Sequence, residues 1–460
     1  MRAVWVALGV AVAAQGCAHF ECTVHGGREA RAITTEHFIV TSDLPPAKHE
    51  FVATRLELLW DTFAAFFHAE VPHARIPVVM LDSEAAVSSF AENYTGFVSR
   101  RGPTVLVVGG VGDEDGSGGS TAHELTHLVS AYMLPRQPRW LSEGLGTLFE
   151  DAQFHGDRRV RMGRWNAGRA DRAFYEGVAT LDELMQWGGL RFDESEARLY
   201  ASAWAWVHYL SNHDEARLTR LFAELRGVKP MDQVMREVFP PDDAKRLHDE
   251  VVKYVGNARF RGWATDLGRT PSLSSPQPLA PWEVHALRSR LYIRDQDAAR
   301  RELEQAVKLA PTPRPARVAL IAASLEKTPV SQVLAAYPDD ADVLVAAWDD
   351  EAEKADRARV TAALAKTPEK VELLLLAAEL AMRDSDATAA SELVERGRTL
   401  APWSVEFTDL AVQLALHQRE CITADLRLSE LRTLVAEGMS QKLRDYLERT
   451  AAKVAACGKK

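Results

Sequence analysis

The pentapeptide His123-Glu124-Leu125-Thr126-His127 sets two imidazoles four residues apart with a carboxylate beside the first. On a helix, positions i and i+4 share one face about a turn apart, so both rings can reach a single metal ion. Glu124, one residue round the helix, is then placed to hold a water beside that ion and take its proton. Leu125, Leu128 and Val129 make an apolar flank, and Ser120 and Thr121 stand where an N-cap belongs. Burying two His and one Glu on such a helix is costly unless a metal or other partners satisfy them. After Pro135 and Pro138, Trp140-Leu141-Ser142-Glu143-Gly144 begins a second helix. Taken alone, Glu143 reads either as another ligand or as a solvated carboxylate at a helix start, where the helix dipole favours it.

His-Glu-x-x-His followed by Trp-Leu-x-Glu-Gly resembles the gluzincin metallopeptidases, in particular the bacterial peptidase MA-like group. The resemblance covers roughly residues 33 to 260 and is specific at those two motifs. It implies that His123, His127 and Glu143 bind one zinc ion per chain, with Glu143 lying 16 residues after His127. Three protein ligands leave one zinc position for a water whose pKa falls to ~7. Glu124 would act as general base and pass the proton on to the leaving amine. The group also uses a Tyr or His from a later helix to stabilise the oxyanion. Leu199-Tyr200-Ala-Ser-Ala-Trp204-Ala-Trp-Val-His208-Tyr209 resembles that helix, which implies Tyr200 first and His208 second for the role. His155, in a polar turn, is a third choice, and Tyr200 and His208 also read as ordinary helix-packing residues. Alanyl-aminopeptidase-like relatives carry an upstream Gly-x-Met-Glu-Asn strand, and no such sequence occurs here. Glu114, between Asp113 and Asp115, lies in the right region but the wrong setting, so an endopeptidase or a narrow-specificity enzyme is favoured over an aminopeptidase. The strand Thr104–Val108 is expected to bind peptide by edge addition.

The positioning elements follow from periodicity. His37–Thr41, Ile76–Leu81 and Thr104–Val108 are short β-branched runs, and His49–Phe67 has a helical apolar period. A short helix is expected from Glu84 to Phe90, and the chain should be mostly helical from Gly119 to about Ala264. Thr270–Pro281 has the Pro and Ser content of a linker. Beyond it, Pro368 and Pro402 stand 34 residues apart, the tetratricopeptide period. Leu287, Ala299, Leu303 and Ala306 precede Pro311 in the register in which Ala378, Ala390, Val394 and Gly397 precede Pro402. The 57 residues from Pro311 to Pro368 require a shortened or irregular unit, and a generic helical bundle is the plain alternative. The expected class is thus an α+β zincin-like peptidase domain (33–265), a linker (266–282) and an all-α tetratricopeptide-like repeat domain (283–457).

Four hundred and sixty residues exceed one compact core, and 47% hydrophobic with 26% charged residues describes a folded chain. A formal charge of −10 argues against a nucleic-acid partner. Met1-Arg2 followed by the apolar run Ala3–Ala14 reads as a signal peptide (1–16), too short to span a bilayer. Ala14-Gln15-Gly16-Cys17 resembles a bacterial lipobox, although Ala14 stands where that pattern prefers Leu. The implied protein faces the periplasm on a lipid anchor at Cys17, with 17–32 as a tether, or else is secreted. In that oxidising setting Cys421 and Cys457, at the start and end of an expected helix pair, should form a disulfide. Cys22 remains an alternative partner or a free thiol. Two functional expectations follow: a zinc peptidase whose repeats recruit a peptide or protein substrate or a protein partner, and a non-cutting envelope scaffold built on the same two parts.

Overall fold

The computed structural model describes residues 20–457 except 69–74, 93–95, 100–104, 110–118, 135, 156–157, 188–193, 228, 258–259, 261, 268–269, 351–355, 403 and 436–440. Cys17 and Glu114 therefore lie outside the described residues. The first half of the chain is mixed α/β. Its main sheet is built from β1 (Arg31–Thr34), β2 (Phe38–Ser42), β3 (Ile76–Leu81), β4 (Gly96–Ser99) and β5 (Val105–Gly109), with α1 (Pro46–Phe67) and α2 (Glu84–Phe90) between strands. Helices α3 (Gly119–Met133) and α4 (Arg139–Glu150) follow. A second small sheet begins with β6 (Gln153–His155) and β7 (Arg159–Met162). Five helices come next: α5 (Ala167–Glu176), α6 (Leu181–Met185), α7 (Glu194–His213), α8 (Glu215–Arg226) and α9 (Met231–Val238). The half closes with α10 (Pro241–Asn257), β8 (Trp263–Asp266) and β9 (Gln277–Pro278).

The main sheet has the order β4-β5-β3-β2-β1-β9. β2, β3 and β5 run parallel, while β4, β1 and β9 pair antiparallel. Thr104–Val108 was expected to offer an edge for peptide addition, but β5 lies between β3 and β4. Among the described residues the outermost strand on that side is β4. Its four residues carry no strong strand signal of their own and become a strand only by pairing with β5.

Alternation along the strands feeds two cores. Val78 and Met80 of β3 and Val108 of β5 face a large core with α1, α3, α4 and α7. Val79 and Leu81 of β3 and Val107 of β5 face the opposite side. There they meet Val87 and Phe90 of α2, Phe20 and Cys22 from the N-terminal segment, and Val284 and Leu291 of α11 (Pro281–Leu291). Within the larger core α7 is buried all round: Ala201, Ser202, Ala203, Trp204, Ala205, Trp206, Val207 and His208 are all fully buried. That pattern marks an interior helix. Its turns are pinned by Ala179 N–H donating to Ser202 Oγ (2.8 Å) and by Trp206 Nε1 donating to Ala179 O (2.9 Å).

The segments expected as tether and linker are stitched to this body. Gln277 and Pro278 pair with β1, and Thr34 N–H donates to Ser274 Oγ. Arg288 donates to Phe20 O and lies over the Phe90 ring. Buried Cys22 is a free thiol whose Sγ is 3.8 Å from Pro281 O.

The remainder is helical: α12 (Gln296–Leu309), α13 (Ala316–Glu326), α14 (Val330–Ala336), α15 (Ala341–Asp350), α16 (Arg357–Lys366), α17 (Val371–Arg383), α18 (Ala387–Leu400), α19 (Val405–His417), α20 (Cys421–Val435) and α21 (Gln441–Cys457). Successive helices pack as pairs, α11 with α12, α17 with α18 and α19 with α20. Ala299, Ala306, Ala378, Ala390 and Val394 are buried at the repeated small or apolar positions, while Leu287 and Leu303 are half-buried. Gly397 lies flat against the Phe407 ring, where a Cβ would come within 2.0 Å of ring carbon. Between Pro311 and Pro368 lie the four short helices α13 to α16, of 7 to 11 residues each. Among the described residues no helix is long and apolar enough to cross a membrane.

Cys421 and Cys457 are disulfide-bonded, with Cα atoms 5.6 Å apart, and join the start of α20 to the end of α21. Closing a loop of this length contributes ~3–4 kcal/mol in the chain-entropy model. C421S or C457S should therefore loosen the last helix pair first. Hydrogen exchange of wild type and variant checks this: α20 and α21 should lose protection while α3 and α4 keep theirs.

Candidate metal centre

His123 and His127 lie on the side of α3 that faces away from its apolar stripe. Ala122, Leu125, Val129 and Met133 bury themselves in the core, which leaves the two imidazoles half-buried on the opposite flank. The helix begins at Gly119, so Ser120 and Thr121, expected as caps, fall in its first turn. Helix α4 crosses beside it and delivers Glu143.

The two His Nε2 atoms face one another at 2.9 Å, one donating to the other. Glu143 Oε2 lies 3.6 Å from His123 Nε2 and 3.4 Å from His127 Nε2. Zinc bonds of ~2.05 Å at tetrahedral angles set neighbouring ligand atoms about 3.3 Å apart. The three observed separations bracket that value, and the group could hold a metal ion. The fit is supported by electrostatics. Burial would push the His123 imidazole down, but Glu143 and Glu150 beside it outweigh that and raise it to about 10. Burial would likewise raise the Glu143 carboxyl, yet the two imidazoles hold it well below the usual carboxylate range.

Each outer nitrogen has a polar side chain beside it, an ion-pair contact at His123 and a hydrogen bond at His127. Glu150 Oε1 is 2.6 Å from His123 Nδ1, and Ser142 Oγ is 2.9 Å from His127 Nδ1. Partners of this kind set the ring orientation and so which nitrogen turns inward. Arg139 Nε stands 3.9 Å from Glu143 Oε1. Gly146 abuts the His123 ring, where an added Cβ would meet ring atoms at 2.9–3.2 Å. Neither Glu150 nor Arg139 was anticipated from the sequence. The signal was there: residues 139, 143, 146 and 150 recur at helical spacing and form one stripe of α4.

Glu124 is half-buried on α3 and leans on the edge strand, since a Cβ added at Gly96 of β4 would reach its Cγ at 2.7 Å. Tyr200, on α7, stacks edge-on to Trp187 at 4.8 Å and accepts a hydrogen bond from Arg139 Nη2 (3.3 Å). Burial first, and the charge of Glu143 second, push the Tyr200 phenol up to about 12, so it stays protonated near neutral pH. His208 is spent elsewhere. It is fully buried, with Nδ1 2.6 Å from Tyr254 Oη and Nε2 donating to Arg164 O at 3.1 Å. Burial lowers it to about 4. His155 is exposed at the end of β6, opposite Arg159. The order Tyr200, His208, His155 came from the resemblance; what separates the three in the structure is burial and partner choice.

Glu150→Gln should weaken metal binding about 10- to 100-fold while the fold is retained, because the carboxylate behind His123 is lost. Competition with a chromophoric chelator measures the change.

Residues 121–232 match the model of a family described as "Protein of unknown function (DUF1570)". No curated protein matches the chain. The matched stretch runs from the first turn of α3 into α9 and contains His123, Glu124, His127, Glu143 and Tyr200.

Proposed function

We propose that the chain is an exported zinc metallopeptidase of zincin-like fold that hydrolyses internal peptide bonds. The observation that carries this reading is the convergence of His123 Nε2, His127 Nε2 and Glu143 Oε2, with Glu124 on the same helix packed against Gly96 of β4, the outermost strand on its side of the sheet among the described residues. Zinc held there would supply Lewis acidity toward water and a scissile carbonyl.

The chain's own groups account for the remaining needs. An extended peptide that adds to β4 passes Glu124 at Gly96, which puts a backbone carbonyl beside the general base. Glu124 accepts a proton from water and returns it to the departing amine. Tyr200, protonated and with its oxygen occupied by Arg139, keeps its hydroxyl hydrogen for an oxygen that gains charge. Ser142 and Glu150 hold the imidazoles still through the cycle. The helical pairs α11 to α21 recruit the protein substrate or a partner, and Cys17 carries a lipid that keeps the protein at the cell envelope.

Glu124→Gln tests the core of the proposal. The variant should bind one zinc per chain by elemental analysis, as wild type does, and lose about 100-fold or more in cleavage of a peptide library. A variant that cuts as fast as wild type, or a wild type that takes up no zinc, would overturn it. Tyr200→Phe should lower kcat about 10- to 100-fold with KM little changed, the pattern of a group that acts on the transition state.

A further inference from the structure

Arg139 opens α4, one turn before Glu143, and its side chain is 7% exposed. A guanidinium so enclosed needs several acceptors in fixed directions. Trp187 supplies a flat support, with its ring 4.2 Å from the guanidinium carbon. Glu196 supplies the counter-charge: its Oε1 takes Arg139 Nη1 at 3.3 Å and Trp187 Nε1 at 3.3 Å. These two fix the plane of the group. Its other side meets two residues of the candidate metal centre: Nη2 donates to Tyr200 Oη (3.3 Å), and Nε stands 3.9 Å from Glu143 Oε1, a charge contact without a hydrogen bond.

The two oxygens of Glu143 are thereby made unequal. Oε1 faces the guanidinium and Oε2 faces the imidazoles. Tyr200 is treated in a matching way, because its oxygen accepts from Arg139 and its hydrogen is left for another acceptor. A pure counter-ion for Glu196 would have no reason to address both. We propose that Arg139 is a positioning residue that presents Glu143 through one oxygen only and aims the Tyr200 hydroxyl. The proposal rests on the metal-centre reading above. A lysine cannot substitute, since one ammonium cannot bridge both partners in a plane.

The test uses the full chain, stripped of metal and reloaded with cobalt(II), whose visible absorption reports coordination number. Wild type should show the intense bands of a four-coordinate site. Arg139→Gln frees Glu143 Oε1 to bind as well, so its bands should weaken about twofold or more as a fifth ligand enters. Arg139→Lys should move the same way, and it decides the matter if the Gln variant does not fold. A second readout is a cycle on cleavage rate: Tyr200→Phe should cost at least 10-fold in wild type but less than about 3-fold in the Arg139→Gln background. Cobalt spectra identical in wild type and both Arg139 variants would overturn the proposal, as would Tyr200→Phe costing the same in the two backgrounds. A wild type that binds no cobalt would overturn the metal-centre reading and this one with it. Cobalt bound as expected without cleavage of any peptide would count against the peptidase reading alone, and the spectra would still decide Arg139.

Discussion

Gly144 and Gly146 let α4 lie unusually close to two neighbours, and the geometry of the centre depends on that closeness. An added Cβ at Gly144 would come within 2.5 Å of Ala203 O on α7, and one at Gly146 would meet the His123 ring. Round the helix, Glu143 stands between these two directions, 100° from Gly144 on one side and about 60° from Gly146 on the other. Pressing one flank against the buried α7 and the other against α3 leaves its carboxylate pointing at both imidazoles. A methyl group at Gly144 would press on the α7 backbone and push the helices apart, and one at Gly146 would press on the His123 ring itself.

Each inward-facing atom is backed by a different kind of partner. Behind His123 stands the anion Glu150, behind His127 the neutral Ser142 hydroxyl, and behind Glu143 the cation Arg139. Glu150 makes the His123 ring a stronger donor, while Arg139 draws charge from Glu143 and weakens it as a donor. The three groups of the candidate centre thus differ in the charge that stands behind them.

The parts legible in the sequence were those encoded by short-range spacing. The four-residue gap from His123 to His127 and the period of His49–Phe67 are properties of one helix, and the structure has both. The Cys421–Cys457 bond followed from one helix hairpin. Features that need a distant partner were not legible. Gly96–Ser99 is a strand because β5 lies beside it, and β9 is two residues long and exists only as a companion of β1. Residues 20–30 have no apolar period, yet Phe20, Cys22 and Ala30, on either side of a single 3-10 turn (Thr23–His25), are almost wholly buried in the core that α11 shares. His208 and Tyr200 looked alike on one helix. Only burial showed that the first is sealed by Tyr254 and Arg164, while the second meets Arg139.

The packing of α11 on the sheet has a practical meaning for anyone dividing this protein. Composition places a seam at residues 266–282, yet the second face of the sheet is covered by Val284 and Leu291 from beyond that seam and by Phe20 from before β1. A fragment cut from Ile33 to Ala264 would bare Val79, Leu81, Phe90, Phe97 and Val107 together, a sticky surface on a piece intended to be soluble. The workable joint lies further on, after the α11–α12 pair. Shuffling or inheritance of the helical array as a module would have to respect the same joint, leaving its first helix pair behind with the sheet.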